Sequence, residues 1–343
     1  MDGQGRCGGN GKCVVCLGAC AMDMIIRVPR FPAADEMVFA DGEPGLFAGG
    51  STANIAVGIA RVGAGSRFVG KVGDDANGHA LREAFEQDRV DTRWLTVDPA
   101  GRTAQTIIAV DPSGSRVIYS LGGTALLEAA DEFTGDILGG ASVLYVGEAF
   151  FDVARRAMQE ARSKGAQVVY GPGGTASWIG MENLAELMRL ADFVLMSRSE
   201  LRGTTGCDEP EVAARLLLER GVPSVVATLG EQGAACYGRR SRQIADASVG
   251  AGAGVDAHAD ADFETVWAPS FNVDVVDTTG AGDAFASGFI SSLVEGRPMA
   301  ECLTRGNACA AMAIGRVGAR EALPTQRELE VFLAARVGAE RRG

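Results

Sequence analysis

From Ser142 onward the chain repeats one rhythm, a short apolar run followed by a stretch with helical spacing. SVLYVG, AQVVYG, DFVLMS and SVVATLG alternate with DVARRAMQEARSKG, NLAELMRLA and EVAARLLLERG. The apolar runs are too short for helices and lack the polar alternation of a strand with one wet face. They read as strands buried on both sides. Such strands joined by amphipathic helices of about 10–15 residues specify a parallel sheet covered on both faces, with right-handed crossovers.

The N-terminal part reads differently. A first buried strand runs from Val14 to Leu17, after a Gly-rich polar tail over residues 1–12. Two β-like stretches follow, Met24 to Val28 and Glu36 to Ala40, around the turn Pro29-Arg30-Phe31-Pro32. A second pair, AQTIIAVD and SRVIYSL, is joined by Asp111-Pro112-Ser113-Gly114, a strong hairpin signal. With short loops and no helix between partners, these four segments predict a small antiparallel sheet set apart from the main body. Arg239 to Glu264, rich in Gly, Ala and Asp, reads as a surface insertion.

Charge and composition exclude several functions. A net charge of −12 argues against a general nucleic-acid or anionic-membrane binder. With only His79 and His258, a His-rich metal centre is not expected. Cys13, Cys16 and Cys20 crowd one segment, but no second CxxC completes a zinc site, and cysteines in a buried strand pack as small hydrophobes. The apolar stretch around them is broken by Asp23 and Arg27 and lacks a signal-peptide pattern, so the expectation is a cytoplasmic, soluble protein without a membrane partner.

Two segments carry chemistry. In VVDTTGAGDAFASGFISSLVEG, residues 275–296, a strand from Asn272 to Val276 is expected to run into Asp277-Thr278-Thr279 and then a helix opened by Gly280, Ala281, Gly282 and Asp283. Glycines at a helix start leave backbone N–H groups bare where the dipole favours negative charge, a fit for a phosphate or a developing phosphoryl oxyanion. Asp283, in the first turn, could accept the proton of an attacking hydroxyl. In the second segment, residues 47–78, Gly49 and Gly50 precede a helix expected to start near Thr52, with Asn54 in its first turn. Glycines let a polyhydroxylated ligand approach the backbone, and Asn offers it a donor and an acceptor.

Two motifs are decoys, and a third is missing. Gly65-x-x-x-x-Gly70-Lys71 approaches a phosphate-binding loop, but Val72 stands where Ser or Thr is needed and the interior reads as strand. Gly49-Gly50-Ser51-Thr52-Ala53 approaches a nucleophile elbow, yet a hydrolase in the Ser, acid, His order would need His258 as its base, and that histidine lies in the insertion. A dinucleotide fingerprint after the first strand is missing, since only Gly18 is there.

Together the two segments resemble the signature regions of the ribokinase-like (PfkB) carbohydrate kinases. The match is complete from Asp277 through Gly288, and in the first signature it holds at Gly49, Gly50, Asn54, Ala56, Gly63 and Gly73. Thr52 departs from it, where the family has Gly, Ala or Pro. The resemblance runs from about Val14 to Thr325, omitting the tail and insertion. It implies an α/β fold of three layers, α/β/α, with a mostly parallel central sheet and a small antiparallel β lid. On that basis residues 13–22, 42–100 and 123–343 form the core, and 23–41 and 101–122 the lid.

The resemblance also implies roles. Asp283 would be the base and Gly280, Ala281 and Gly282 the anion hole; Asp23, Gly49, Gly50, Asn54 and, more weakly, Glu148 would contact sugar. Thr228, Gly230 and Gly233 match the family's nucleotide loop, and Asn307 lies on the helix that flanks adenine. Glu200 retains the acidic end of the N-x-x-E motif that organises Mg²⁺ through water, while Ser197 replaces its Asn. Asp277 and Thr279 correspond to a monovalent-cation site, completed near Gly318-Ala319. The implied activity is an ATP- and Mg²⁺-dependent sugar kinase, with K⁺ as a further cofactor and a homodimer formed through the hairpin Gln105–Leu121. A nucleoside kinase of the same family and a catalytically silent scaffold are the alternatives.

Overall fold

Nine strands build the main sheet of the computed structural model, which describes residues 13–173, 180–239 and 263–340. The N-terminal half runs β1 (Cys13–Leu17), β2 (Ala21–Arg27), β3 (Asp41–Gly49), α1 (Ser51–Arg61), β4 (Gly65–Gly73), α2 (Ala76–Gln87), β5 (Asp91–Asp98), β6 (Gln105–Val110) and β7 (Arg116–Ser120). Next come β8 (Val143–Val146), α3 (Phe151–Ser163), β9 (Gln167–Tyr170), α4 (Met181–Leu190), β10 (Phe193–Ser197), α5 (Arg198–Thr205) and α6 (Pro210–Glu219). The chain closes with β11 (Ser224–Thr228), β12 (Ala234–Arg239), β13 (Phe263–Ala268), α7 (Ala281–Val294), α8 (Met299–Ile314) and α9 (Gln326–Glu340).

The main sheet has the order β13-β12-β11-β10-β9-β8-β1-β4-β5. From β5 to β11 every pairing is parallel, and β12 and β13 are antiparallel. Alternate residues of β1 enter opposite cores, Val14 and Cys16 on one face and Val15 and Leu17 on the other. This is the three-layer α/β/α arrangement, and the strands of the Ser142 rhythm are its interior. Cys16 and Cys20 are buried free thiols, whereas Cys13 is disulfide-bonded. Among the described residues no cluster of His, Cys, Asp or Glu could hold a metal alone, and no helix is long and apolar enough to cross a membrane.

The small sheet has the order β3-β2-β6-β7. Its outer pairings are antiparallel, and the two hairpins join through a parallel β2–β6 contact. Its limits differ from expectation. Glu36–Ala40 is irregular, with Phe39 77% exposed, and the partner of β2 is Asp41–Gly49. Residues 42–49 therefore belong to the lid. An edge strand pairs on one side only, so it tolerates Pro44 and the glycines that hide it from a propensity reading.

Two other expectations change. Asn272–Val276 forms no strand; Val275 and Val276 are exposed, and the N–H groups of Val276 and Asp277 bond the Ile314 carbonyl at the end of α8. The sheet already ends at β13, so this segment crosses the end of a helix. Arg239, Phe263 and Glu264, expected in the insertion, are strand residues of the β12–β13 pair. The tail 1–12, insertion residues 240–262 and His258 lie outside the described residues. The Gly65–Lys71 decoy is β4, and Lys71 pairs with Glu132 at 2.8 Å.

Candidate active site

Parallel strands end at one edge, and that edge gathers the candidates. Leu17 lies level with Val146, and Ser197 with Thr228, so Glu148, Ser197, Glu200 and the loop after Thr228 emerge together. Ligands of open α/β sheets bind at this edge.

Helices α1 and α7 bring the two signature segments to it. Gly58 of α1 faces Ser287 of α7 so closely that a Cβ at Gly58 would lie 2.2 Å from the Ser287 hydroxyl oxygen. That hydroxyl donates to the Asp283 carbonyl at 2.7 Å and the Ile55 carbonyl at 3.3 Å, tying the helices. α7 is buried from Ala284 to Ser292; Phe285, Phe289 and Ile290 each contribute roughly 1.5–3 kcal/mol of apolar burial. Its N-terminus is thus fixed against that of α1.

Asp283 lies at this junction, partly exposed. The Ser51 hydroxyl donates to its Oδ1 at 2.6 Å, and the Asn54 amide to its Oδ2 at 3.0 Å. Burial pushes its carboxyl up to about 6, against the lowering by these donors; Glu148 raises it further and Arg320 lowers it. A carboxylate titrating near 6 is ionised at neutral pH yet a stronger proton acceptor than an exposed one. Ser51, in the elbow decoy, is a site residue that sequence reasoning passed over. It serves the carboxylate rather than a histidine.

The N-terminus of α7, the candidate anion hole, is open on one side. Gly280 caps α7 with φ 77°, and a Cβ there would meet the Ala319 backbone at 2.9 Å. A Cβ at Gly282 would meet nothing within 4 Å. The Ala281 N–H bonds the Thr278 carbonyl at 3.3 Å, which removes it from the expected donors. Gly282 and Asp283 are left, with no backbone acceptor for their N–H groups among the described residues. Asp277 accepts from the N–H groups of Thr279 at 2.9 Å and Gly318 at 3.0 Å. Burial would raise its carboxyl, but these donors and Arg116 outweigh it and hold the group below its usual range. The Gly318-Ala319 turn meets the loop where the cation site was expected to be completed. Arg116 of β7 donates to the Thr279 hydroxyl, linking lid to core.

The sugar-contact candidates converge on the same floor. Gly49 makes room for Asp23, whose Oδ2 would lie 1.8 Å from a Cβ at that position. Thr106 of β6 donates to Asp23 at 2.6 Å, while burial raises the Asp23 carboxyl. Gly50 caps α1 with φ 96°, close to the Ala19 carbonyl. Thr52, the departure from the family pattern, is fully buried, and its hydroxyl donates to Glu148 at 2.7 Å. It fits because Gly18 and Gly147 lack side chains, since a Cβ on either would lie within 2.3 Å of that hydroxyl. Tyr145, buried beneath, has its phenol pushed well above its usual range by burial and by the charges of Glu148, Asp283 and Glu200.

On the nucleotide side, Ser197 caps α5. It accepts from the Glu200 N–H at 3.2 Å, and Glu200 Oε2 accepts from the Ser197 N–H at 2.6 Å. Ser and Asn are both strong N-caps, so the replacement keeps this local function. Glu200 Oε1 stays outside the box, which fits water-mediated Mg²⁺, an ion held by one or two carboxylates, waters and substrate phosphates. Gly230 and Gly233 adopt φ 62° and 89° in the turn after Thr228. Asn307, on the helix expected to flank adenine, donates its amide to the Ala268 and Pro269 carbonyls at 3.0 and 2.9 Å and so braces the segment against Gly233.

A mostly parallel sheet with a lid, an open helix N-terminus and a held carboxylate beside it meet at this edge. The model of the pfkB family carbohydrate kinases matches residues 12–326. The chain is 30% identical over 337 residues to a fructokinase-1 of Zea mays, covering 92% of this chain and 96% of the relative. It is 29% identical over 328 residues to an ATP-dependent ribose-1-phosphate kinase of Halopiger xanaduensis, covering 94% and 98%. A ribokinase structure from Thermotoga maritima superposes with a TM-score of 0.76 at 26% identity, covering 94% of this chain and 98% of that one. A ribokinase of Arabidopsis thaliana complexed with ribose and ATP shares the fold, with a TM-score of 0.78 at 23% identity and the same coverages. The chain belongs to the pfkB family of carbohydrate kinases and is a phosphotransferase with an alcohol acceptor.

Proposed function

We propose that this kinase transfers the γ-phosphoryl of Mg-ATP to a primary hydroxyl of a free ketohexose such as fructose. The observation that carries the reading is Asp283, held by Ser51 and Asn54 beside the open N-terminus of α7. Asp283 takes the proton as the hydroxyl oxygen attacks the γ-phosphorus and the bond to the β-phosphate oxygen breaks, releasing ADP. The Gly282 and Asp283 amides stabilise charge on the transferring group. Mg²⁺, organised through Glu200 and water, neutralises phosphate charge when bound. Thr228, Gly230 and Gly233 shape the nucleotide loop, and Asp23, Asn54 and the Gly49–Gly50 backbone receive the sugar hydroxyls.

Three carboxylates, Asp23, Glu148 and Asp283, surround that floor, and the charge set among them, Arg320, is buried. Such a field disfavours a sugar that already carries phosphate, and the fructokinase relatives favour a ketohexose. Asp277 fits a monovalent cation through its ionised carboxylate, while the Thr279 hydroxyl already accepts from Arg116. Leu46 and Tyr119 of the lid are 57% and 60% exposed, which supports a homodimer through this sheet. ADP release measured with free fructose, ribose, ribose 1-phosphate and adenosine tests the assignment. Fructose should give the highest kcat/KM. Turnover confined to ribose 1-phosphate or adenosine would overturn the free-sugar reading.

A further inference from the structure

Arg320 is 4% exposed, in the turn after α8, and the sequence reading gave it no role. Its guanidinium lies over the Phe85 ring at 5.3 Å. On the other side its Nε donates to Asn54 Oδ1 at 3.2 Å and its Nη2 reaches the Gly49 carbonyl at 3.5 Å. Nη1 is buried with no hydrogen-bond partner among the described residues. Burying a guanidinium with one nitrogen unsatisfied is costly, so packing alone is a poor reason for an arginine here.

The Asn54 amide gives a better one. Its two ends are nearly the same shape, and an amide flip exchanges donor for acceptor. One end faces Asp283, which when ionised only accepts; the other faces Arg320, which only donates. In the flipped amide, oxygen would oppose carboxylate and NH₂ would oppose guanidinium. Only one orientation satisfies both neighbours.

We propose that Arg320 is a positioning residue that locks the Asn54 amide with its N–H toward Asp283, holding the carboxylate where it can take the acceptor's proton. The proposal rests on the reading of Asp283 as the base. Arg320 touches neither reacting group and acts through Asn54. Its charge also favours the ionised Asp283, against Glu148. The groups facing Asp283 are Ser51 and Asn54 from α1, Tyr145 and Glu148 from β8 and the loop after it, and Arg320.

Steady-state kinetics of Arg320→Met, Arg320→Gln, Asn54→Ala and the paired variants test this, at a pH well above the acid limb and then across it. Arg320→Met keeps a long apolar chain on Phe85 but frees the amide, so kcat should fall on the order of 10- to 100-fold with KM for ATP unchanged. Arg320→Gln returns a neutral donor and should recover most of that loss above the limb. Its acid limb should stay shifted to higher pH, because the charge is gone. In an Asn54→Ala background, Arg320→Met should cost nothing further. An equal loss in that background, or a Gln variant as slow as Met, would overturn the lock. If the Met variant does not fold, Arg320→Gln decides: near-normal kcat supports the proposal, and a rate as low as Asn54→Ala overturns it. Failure of the base assignment has a separate signature, an Asp283→Asn enzyme that keeps its turnover.

Discussion

The two sheets of this kinase meet opposite demands. In the main sheet, β8, β10 and β11 are mostly buried, and their ends set Glu148, Ser197 and Thr228 at fixed heights. In the lid, β3 and β7 leave most side chains in solvent, yet β2 and β6 hold the Asp23–Thr106 hydrogen bond at the proposed sugar site. The core can hold a carboxylate to hydrogen-bond precision because close packing resists displacement. The lid lacks that packing on its outer face, where β3 and β7 are exposed. On the proposed reading, the difference separates chemistry, held by α1 and α7, from sugar capture, shared with a less constrained layer.

Asp283→Asn should break the core's half of this division most severely. We expect kcat to fall on the order of 10³-fold with ATP affinity retained, checked by ADP release and nucleotide titration. The same variant should be more stable than the parent at neutral pH. The folded carboxyl is raised above its unfolded value, so the folded state holds its proton more tightly and Asp283 costs stability as pH rises through about 6. The gain should be on the order of 2 kcal/mol above that pH and vanish in acid, read from denaturant melts at both. With Asp283 as the proposed base, kcat of the parent enzyme should decline as pH falls through about 6.

Gly282→Ala puts a methyl into the open space at the N-terminus of α7 without touching protein. It should lower kcat on the order of 100-fold while leaving the melting temperature unchanged or higher. A Gly282→Ala enzyme at full speed would remove the anion hole from the mechanism. Gly58→Ala strikes the α1–α7 contact, where the new Cβ would press on Ser287. Here stability should drop by about 1–3 kcal/mol, with a loss of kcat because the Asn54–Asp283 distance opens.

Lid variants should act more mildly. Leu46→Asp and Tyr119→Asp add charge to exposed apolar positions, so folding should survive. Sedimentation should show a dimer becoming a monomer, with KM for sugar rising more than kcat falls. Unchanged sedimentation would return the lid to an unpaired surface. Replacing KCl by choline chloride should produce the smallest change, a modest loss of rate confined to enzyme with Asp277 intact.

Much of this arrangement is legible in the chain before folding. Short continuous apolar runs joined by amphipathic helices specified the parallel sheet, and glycine spacing with Asp283 and Asn54 marked both signature segments, because periodicity and turn chemistry are local properties. Tertiary packing alone decided which polar groups serve which. Ser51 and Asp283 stand 232 positions apart, and Arg320 and Asn54 are separated by 266. The roles of Thr52 and Glu148 depend on the space that Gly18 and Gly147 leave empty. Asn307 became a brace, and Asp41–Gly49 became a lid strand, through neighbours that no local pattern encodes. A side chain's chemistry is written in the sequence, but a hydrogen bond also needs a partner within about 3 Å, and only the packed fold brings that partner there.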